Sequence, residues 1–393
     1  MKFLKERRHA GRFLTIITCF AGFVGWSPAE AAEEGSRFDD VWDLATLYKG
    51  EEDSWVRKVA LTGRFQLDYA HLDGDGTRPG AAGGQELDLD EWNIRRLRAG
   101  GKVGFRDGFT LHVEVDFDVE EDPVYRRLTD AAIAWSASDA LEVKVGKQGM
   151  NFTLDGSTSS KELLTIDRNN LSNNLWFTNE YMPGVAVEGK QDGWLYGAGL
   201  FSRGGQDEEF GDFDAGVAGV VSVGRDFQGV WGLDEAVVSA DLMCSEKDLS
   251  DPSLFTNRLL GQVASLRTSL KEGDFGFRGD VAAADGYGGQ PDMAGFVLMP
   301  YMDLPWNLQA VLRYTFVESD GNNGLRFTNY EAELLDGGRG DRYQELYAGL
   351  NHYIYGHKLK LQTGLSWIRM EDAAADGGDF DGLSWITGLR VAW

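Results

Sequence analysis

The run from Asn93 to Asp118, NIRRLRAGGKVGFRDGFTLHVEVDFD, alternates apolar or small residues with charged or polar ones on either side of a three-residue bend. Leu97, Ala99, Val103 and Phe105 fall on one face, and Arg96, Arg98 and Lys102 on the other. Beyond Arg106-Asp107-Gly108, Phe109, Leu111, Val113, Val115 and Phe117 oppose His112, Glu114, Asp116 and Asp118. Successive side chains of an extended chain point to opposite faces, so period two predicts two strands, and the short link joins them as a hairpin. One hairpin fits a half-buried soluble sheet as well as a barrel wall.

Recurrence separates the two. The alternation returns in 16 segments, beginning near 56, 90, 109, 128, 141, 183, 194, 214, 234, 259, 274, 293, 306, 342, 358 and 382. An even number is what bacterial single-chain outer-membrane barrels have. Brief turns at 106–108, 271–273, 303–305 and 356–357 are interspersed with long polar loops at 71–89, 149–182, 202–213, 318–341 and 371–381. Short turns on one rim and long loops on the other belong to a transmembrane barrel; a soluble sandwich has no such rule. The 51 glycines, 12% aromatics and only 8 prolines suit many strands with tight turns.

The N-terminus predicts export. Lys2, Lys5, Arg7, Arg8 and Arg12 precede an apolar run from Phe13 to Trp26 and an Ala29-Glu30-Ala31 cleavage pattern, so residues 1–31 read as a signal peptide. The residues around Cys19 fit a lipobox poorly. Removing five basic and two acidic residues takes the net charge from −25 to −28, which excludes nucleic acid as a partner of the whole chain. Cys244 is then the only thiol, and no later run is apolar enough for a membrane helix. Such a chain crosses a membrane only as a closed barrel. Residues 32–55 are expected to form a periplasmic segment in which FDDVWDLATLYKG is a short amphipathic helix capped by Asp39 or Asp40; residues 56–393 are expected to form the barrel. The final WITGLRVAW, with Trp385, Leu389, Val391 and Trp393 outward, resembles the terminal assembly signal of outer-membrane proteins, with Ile386 where a polar residue is usual.

Parity assigns an inner face. Lys58, Arg64, Arg96, Arg98, Lys102, Lys144, Arg267, Arg278, Arg313, Lys360 and Arg390 point inward with Asp68, Glu114, Asp116, Glu142, Glu188, Asp280 and Glu345, so the lumen is net basic inside an acidic protein. Cations on a wet wall attract anions. The alternative is cross-strand pairing of Arg96 and Arg98 with Glu114 and Asp116. The 149–182 segment is long enough to expect a function, and its Asn169, Asn170, Asn173 and Asn174 suit turn chemistry better than solute binding. No enzyme constellation is present: His71, His112, His352 and His357 lack zinc-ligand spacing, and nucleophile-elbow, Walker and C-x-x-C motifs are missing. HLDGDGTRPG lacks the later ligands of a calcium loop and reads as solvated surface. No metal or cofactor is expected.

Three stretches, IRRLRAGGKVGFRDGFTLHVEVDFD, VKVGKQGMNFTLDGSTSSKELLTIDRNNL and MPGVAVEG, resemble the phosphate-selective porin O and P family. The resemblance implies an all-β, 16-stranded, usually trimeric outer-membrane barrel with an inward-folded constriction loop and arginines that hold an anion. It carries the double arginine onto Arg95 and Arg96, the loop serines onto Ser159 and Ser160, and the acid-arginine pair onto Asp167 and Arg168. Two positions depart from it: Asp155, Gly156 and Ser157 stand where a loop lysine is expected, and Tyr181 or Met182 where a basic residue is expected before Gly184. With the parity reading, this makes Arg95, Arg96, Arg98, Lys102, Ser159, Ser160, Lys161, Arg168 and Arg313 the candidate pore-lining or anion-binding residues. The chain is therefore expected to be a bacterial outer-membrane porin for passive diffusion of small anions, phosphate or polyphosphate among them. The alternative is a general or sugar-passing channel. Expected partners are outer-membrane lipid, lipopolysaccharide, small anionic solutes and two further copies of the chain.

Overall fold

A computed structural model of the chain describes residues 37–119, 122–175, 181–203, 209–210, 216–247 and 259–393. The predicted signal peptide lies outside the described residues. Sixteen long strands follow one another: β1 (Val56–Gly76), β2 (Gln85–Phe105), β3 (Phe109–Phe117), β4 (Tyr125–Ser138), β5 (Leu141–Gly149), β6 (Tyr181–Gln191), β7 (Trp194–Ser202), β8 (Val217–Asp226), β9 (Glu235–Ser245), β10 (Leu260–Glu272), β11 (Phe275–Gly286), β12 (Met293–Leu304), β13 (Leu308–Ser319), β14 (Arg342–Tyr355), β15 (Leu359–Glu371) and β16 (Phe380–Ala392). Each pairs antiparallel with the next, and β16 pairs with β1 from Phe380↔Gly76 to Ala392↔Arg64, closing the barrel. Closure gives the wall's backbone groups partners without water, which a membrane demands. No described helix is long and apolar enough to cross a membrane.

The period-two pattern is realised as read. Val113, Ile133, Val145, Leu266, Val281 and Leu312 are exposed on the outer face, whereas Arg98, Glu114, Asp116, Asp280, Arg313 and Glu345 are buried inside. Aromatic residues ring the outer surface near the short turns: Phe109 stacks on Trp135 at 6.2 Å, and Trp194, Phe275 and Trp306 lie exposed at other turns. Such girdles mark the membrane interfaces of a barrel.

Three sequence expectations change. First, 71–89 is not a long loop: β1 and β2 continue through it as a hairpin of two 21-residue strands, paired to Gly76↔Gln85. Its acidic residues, Asp73, Asp75, Glu86 and Asp88, therefore belong to strands. Alternating Asp with Leu, as in Leu87-Asp88-Leu89-Asp90, is itself a strand pattern, and the acids obscured it. Second, the N-terminal helix α1 (Arg37–Asp43) ends earlier than expected, with Asp39 and Asp40 in its first turn, and Thr46–Lys49 forms a short strand on β1. β16 stops opposite Arg64, so the lower edge of β1 would otherwise lack a partner. Third, residues 320–341 are not a plain outer loop. They contain a two-residue ladder of Leu325–Arg326 with Arg339–Gly340, and they bury Phe327, Tyr330, Leu334 and Leu335.

The lumen is filled on one side. From the loop after β5, Phe152, Leu154, Leu164, Ile166, Leu171 and Leu175 share an apolar cluster with Val297, Val311, Val317, Ile368 and Met370 on the inner face of β12, β13 and β15. An inner wall that meets only water needs no such residues; here it carries a packed loop.

Placing a charge on the lipid face separates outside from inside. Leu312→Arg, on the exposed outer face of β13, is expected to cost about 2–4 kcal/mol of barrel stability. Glu188→Arg, beside the lumen cavity, should fold normally. Heat-modifiability gels after refolding into detergent or lipid read both.

Candidate functional site

Two irregularities in the wall build the site. Gln66 pairs with Arg96 but Asp68 pairs with Asn93, so Ile94 and Arg95 together face Leu67 in a β-bulge. A bulge re-aims side chains, and here it turns two consecutive arginines inward. Arg96 Nη1 donates to Gln66 Oε1 (2.7 Å); Arg95 Nη2 donates to Asn329 Oδ1 (2.7 Å), and its Nε lies 3.4 Å from Asp167 Oδ1. A second register shift, where Glu114 pairs with Asp130 and Val115 with Leu128, sets Thr129 aside and brings Arg127 opposite Asp116.

Below the first bulge the charges pair. Arg98 Nε is 3.1 Å from Asp116 Oδ1, Arg64 Nη2 is 3.0 Å from Glu114 Oε1, and Arg127 Nε is 3.6 Å from Asp116 Oδ2. Cross-strand pairing is thus realised, and it uses part of each guanidinium. Arg98 Nη1 also donates to Tyr181 Oη (2.7 Å), and the Arg98 and Arg127 guanidinium carbons each lie 5.2 Å from the Tyr181 ring centroid. Where the family resemblance leads one to expect a base, an aromatic ring holds two arginines in place.

The other lumen residues hold the loop of 150–180. Arg64 Nη1 donates to Ser160 Oγ (2.5 Å), Lys360 Nζ to Leu163 O (2.8 Å), Asn351 Nδ2 to Leu164 O (2.8 Å) and Arg313 Nη1 to Asp167 O (2.9 Å). From the opposite wall, Asp241 accepts from Thr153 N (2.9 Å) and Asp280 from Leu154 N (2.8 Å). Within the loop, Asp155 accepts from Asn169 N and Nδ2 at 2.7 and 2.6 Å, while Arg168 donates to Asp155 O and Thr158 O at 2.9 and 3.0 Å.

The asparagines do more than turn chemistry. Asn169 Oδ1 does accept from Ser172 N (2.8 Å), at the start of helix α2 (Asn170–Leu175). Asn170 and Asn174, however, both donate to Arg326 O (3.1 Å each), and Asn173 donates to Thr328 Oγ1 (3.2 Å). They pin the loop to the second inward segment, 320–341, where Tyr330 Oη donates to Asp68 Oδ2 (3.2 Å).

A cavity of about 270 Å³ lies between the loop and the wall, lined mainly from β4 to β6. Of the predicted residues, Arg98, Ser159, Ser160 and Arg168 line it, joined by Arg64, Lys144, Tyr181, Asp130, Glu142 and Glu188. Arg95 and Arg96 stand beside it, near Asp167 and Gln66. Arg313 lies under the loop, with Nη2 donating to both carboxylate oxygens of Glu345 at 3.0 Å. Lys161 Nζ is 3.4 Å from Trp393 O near the periplasmic end of the wall, and Lys102 is exposed. Burial, then the neighbouring Arg64, lowers the Lys161 ammonium pKa from its ordinary value. Sequence reasoning missed Arg127, because a parity count cannot anticipate a bulge. It also missed the second inward segment, whose only sign was apolar residues in a loop otherwise rich in Gly, Asn and acids.

Residues 59–224 match the family model of the phosphate-selective porin O and P. The chain is a bacterial outer-membrane porin, and residues 59–224 are the part that matches that family. Among curated proteins none matches it. Solved structures share the porin's fold at low identity. An anion-selective porin from Comamonas acidovorans has a TM-score of 0.57 at 13% identity, over 85% of this chain and 99% of that one. The outer membrane channel DcaP of Acinetobacter baumannii gives 0.56 at 14%, over 88% and 100%. OmpT of Vibrio cholerae, in a trimer form, gives 0.51 at 13%, over 85% and 99%. The porin is a non-enzymatic channel, as its family is.

Helix α3 (Gln228–Trp231) sits in a periplasmic turn, and helix α4 (Asn329–Leu334) carries Glu331 in the second inward segment. Burial, reinforced by Asp167 and Glu345, pushes the Glu331 carboxyl up to about 8. A carboxyl with a raised folded pKa binds more protons folded than unfolded, so it costs stability as pH rises from the unfolded value of about 4.3 towards the folded one. Glu331→Gln should therefore raise the thermal midpoint at pH 7 and leave it unchanged at pH 4; equal shifts at both would contradict a proton held on Glu331.

Proposed function

We propose that this porin passes small anions by passive diffusion through the cavity beside the constriction loop. The observation that carries the reading is the cavity's lining, where Arg64, Arg98, Lys144 and Arg168 around the loop serines outnumber Asp130, Glu142 and Glu188. Arg96 adds a guanidinium whose hydrogen bond goes to the neutral Gln66. The loop serines beside Arg64 and Arg168 offer hydroxyls to an oxyanion, and a paired guanidinium keeps donors to spare. The similarity to an anion-selective porin of Comamonas acidovorans agrees with this reading.

Phosphate selectivity is a narrower property, and two residues weaken it. Asp155 occupies the place of the expected loop lysine and is committed to Asn169, and Tyr181 replaces the expected base. These two favour the second reading, a general or sugar-passing channel that lacks phosphate preference. As working partners we take outer-membrane lipid, lipopolysaccharide and, by analogy with the trimeric porin of Vibrio cholerae, two further copies of the chain.

The zero-current potential of purified porin in a planar bilayer under a potassium chloride gradient should lie on the anion-selective side. Lys161→Gln should move it towards zero, more at about 0.01 M salt than at 1 M, because the Debye length falls from about 30 Å to about 3 Å. Phosphate that blocks chloride current at concentrations where sulfate does not would add phosphate selectivity. Cation preference in the unmodified protein would overturn the anion reading.

A further inference from the structure

The cavity has two poles. At one, Arg64 and Arg168 flank the segment of Ser157 to Ser160: Arg64 Nη1 donates to Ser160 Oγ (2.5 Å) and Arg168 Nη2 to Thr158 O (3.0 Å). At the other, Glu142 and Glu188 are paired across β5 and β6, close to the periplasmic turns of those strands. Like charges directly opposite on adjacent strands repel. Yet neither has an ion-pair partner among the described residues; Glu142 accepts only from Ser136 Oγ (2.5 Å). Between the poles, Lys144 and Asp130 lie 3.3 Å apart and neutralise each other. A simple anion is drawn to the first pole and repelled at the second, and a simple cation meets the reverse. A solute carrying both charges is attracted at both ends, provided that it is short enough to span the cavity.

We propose that the passage selects small zwitterions of amino-acid type, with the carboxylate received by Arg64, Arg168 and the loop serines and the ammonium by Glu142 and Glu188. This rests on the cavity being the conducting path of the porin. An acidic pair on the exit side also explains why a lumen rich in arginine need not retain its solute, since release requires that no site bind too strongly.

The test compares three probes of similar length, γ-aminobutyrate, butyrate and butylammonium, as blockers of potassium chloride current through the full-length porin in planar bilayers at pH 7 and about 0.1 M salt, where the Debye length is about 10 Å. Half-block by γ-aminobutyrate is expected at a concentration at least threefold below that of either single-charge probe. In Glu142→Gln with Glu188→Gln, the advantage should vanish and butyrate should block more strongly than in the unmodified porin. Equal block by all three probes in the unmodified protein, which needs no variant to fold, would overturn the proposal, as would an advantage that persists in the double variant. Should the zwitterion proposal alone fail, conductance and anion preference remain. Loss of conductance altogether would remove both readings.

Discussion

A backbone inside a membrane barrel must have its hydrogen-bonding groups satisfied, and here the wall's side chains do this for the loop. The carbonyls of Leu163, Leu164 and Asp167 are capped by Lys360, Asn351 and Arg313, and the amides of Thr153 and Leu154 by Asp241 and Asp280. These wall residues are charged or polar because the loop is, not chiefly because a solute passes them. The inner wall therefore has two populations of ionic side chains. Those on the side of β9 to β16 hold the loop, and those on β1 to β6 border the open cavity, with Arg64 doing both.

That division bears on how much of the channel was legible in the sequence. The strands were readable, because every second residue along them changes character. All 16 began within five residues of the places where the alternation starts. The inner face was readable too: Arg267, Arg313, Lys360 and Arg390 do turn inward, onto Asp241, Glu345, Leu163 O and Asp68. Whether an inward cation meets solvent, a carboxylate or a loop was not readable, since parity fixes direction and says nothing of what lies across the lumen. Arg95 and Arg127 escape parity altogether, each beside a bulge, where one added residue shifts the count.

The second inward segment has a simple physical cause. The apolar residues Leu325, Phe327, Tyr330, Leu334 and Leu335, spaced through an otherwise polar stretch, would be stranded in water if the loop pointed outward. Turned inward, they join the apolar side of the loop after β5, and Asn170 and Asn174 of α2 both donate to Arg326 O. Packed together, the two loops leave the cavity to one side, against the wall of β4 to β6.

At the foot of the barrel, the segment just before the first strand holds the last one. Trp42 Nε1 donates to Ala392 O (2.6 Å), Phe38 stacks on Tyr355 at 5.5 Å, and Thr46–Lys49 takes the edge of β1 that β16 leaves bare. The seam between first and last strands is the one junction in a barrel that no hairpin joins covalently. Mechanically it is a zip, and its lower stop is made from residues that precede the barrel in sequence. Peeling the seam open from the periplasmic side must first strip off this clasp, while at the other rim Thr77 N donates to Asp379 O and Gly378 N to Thr77 O.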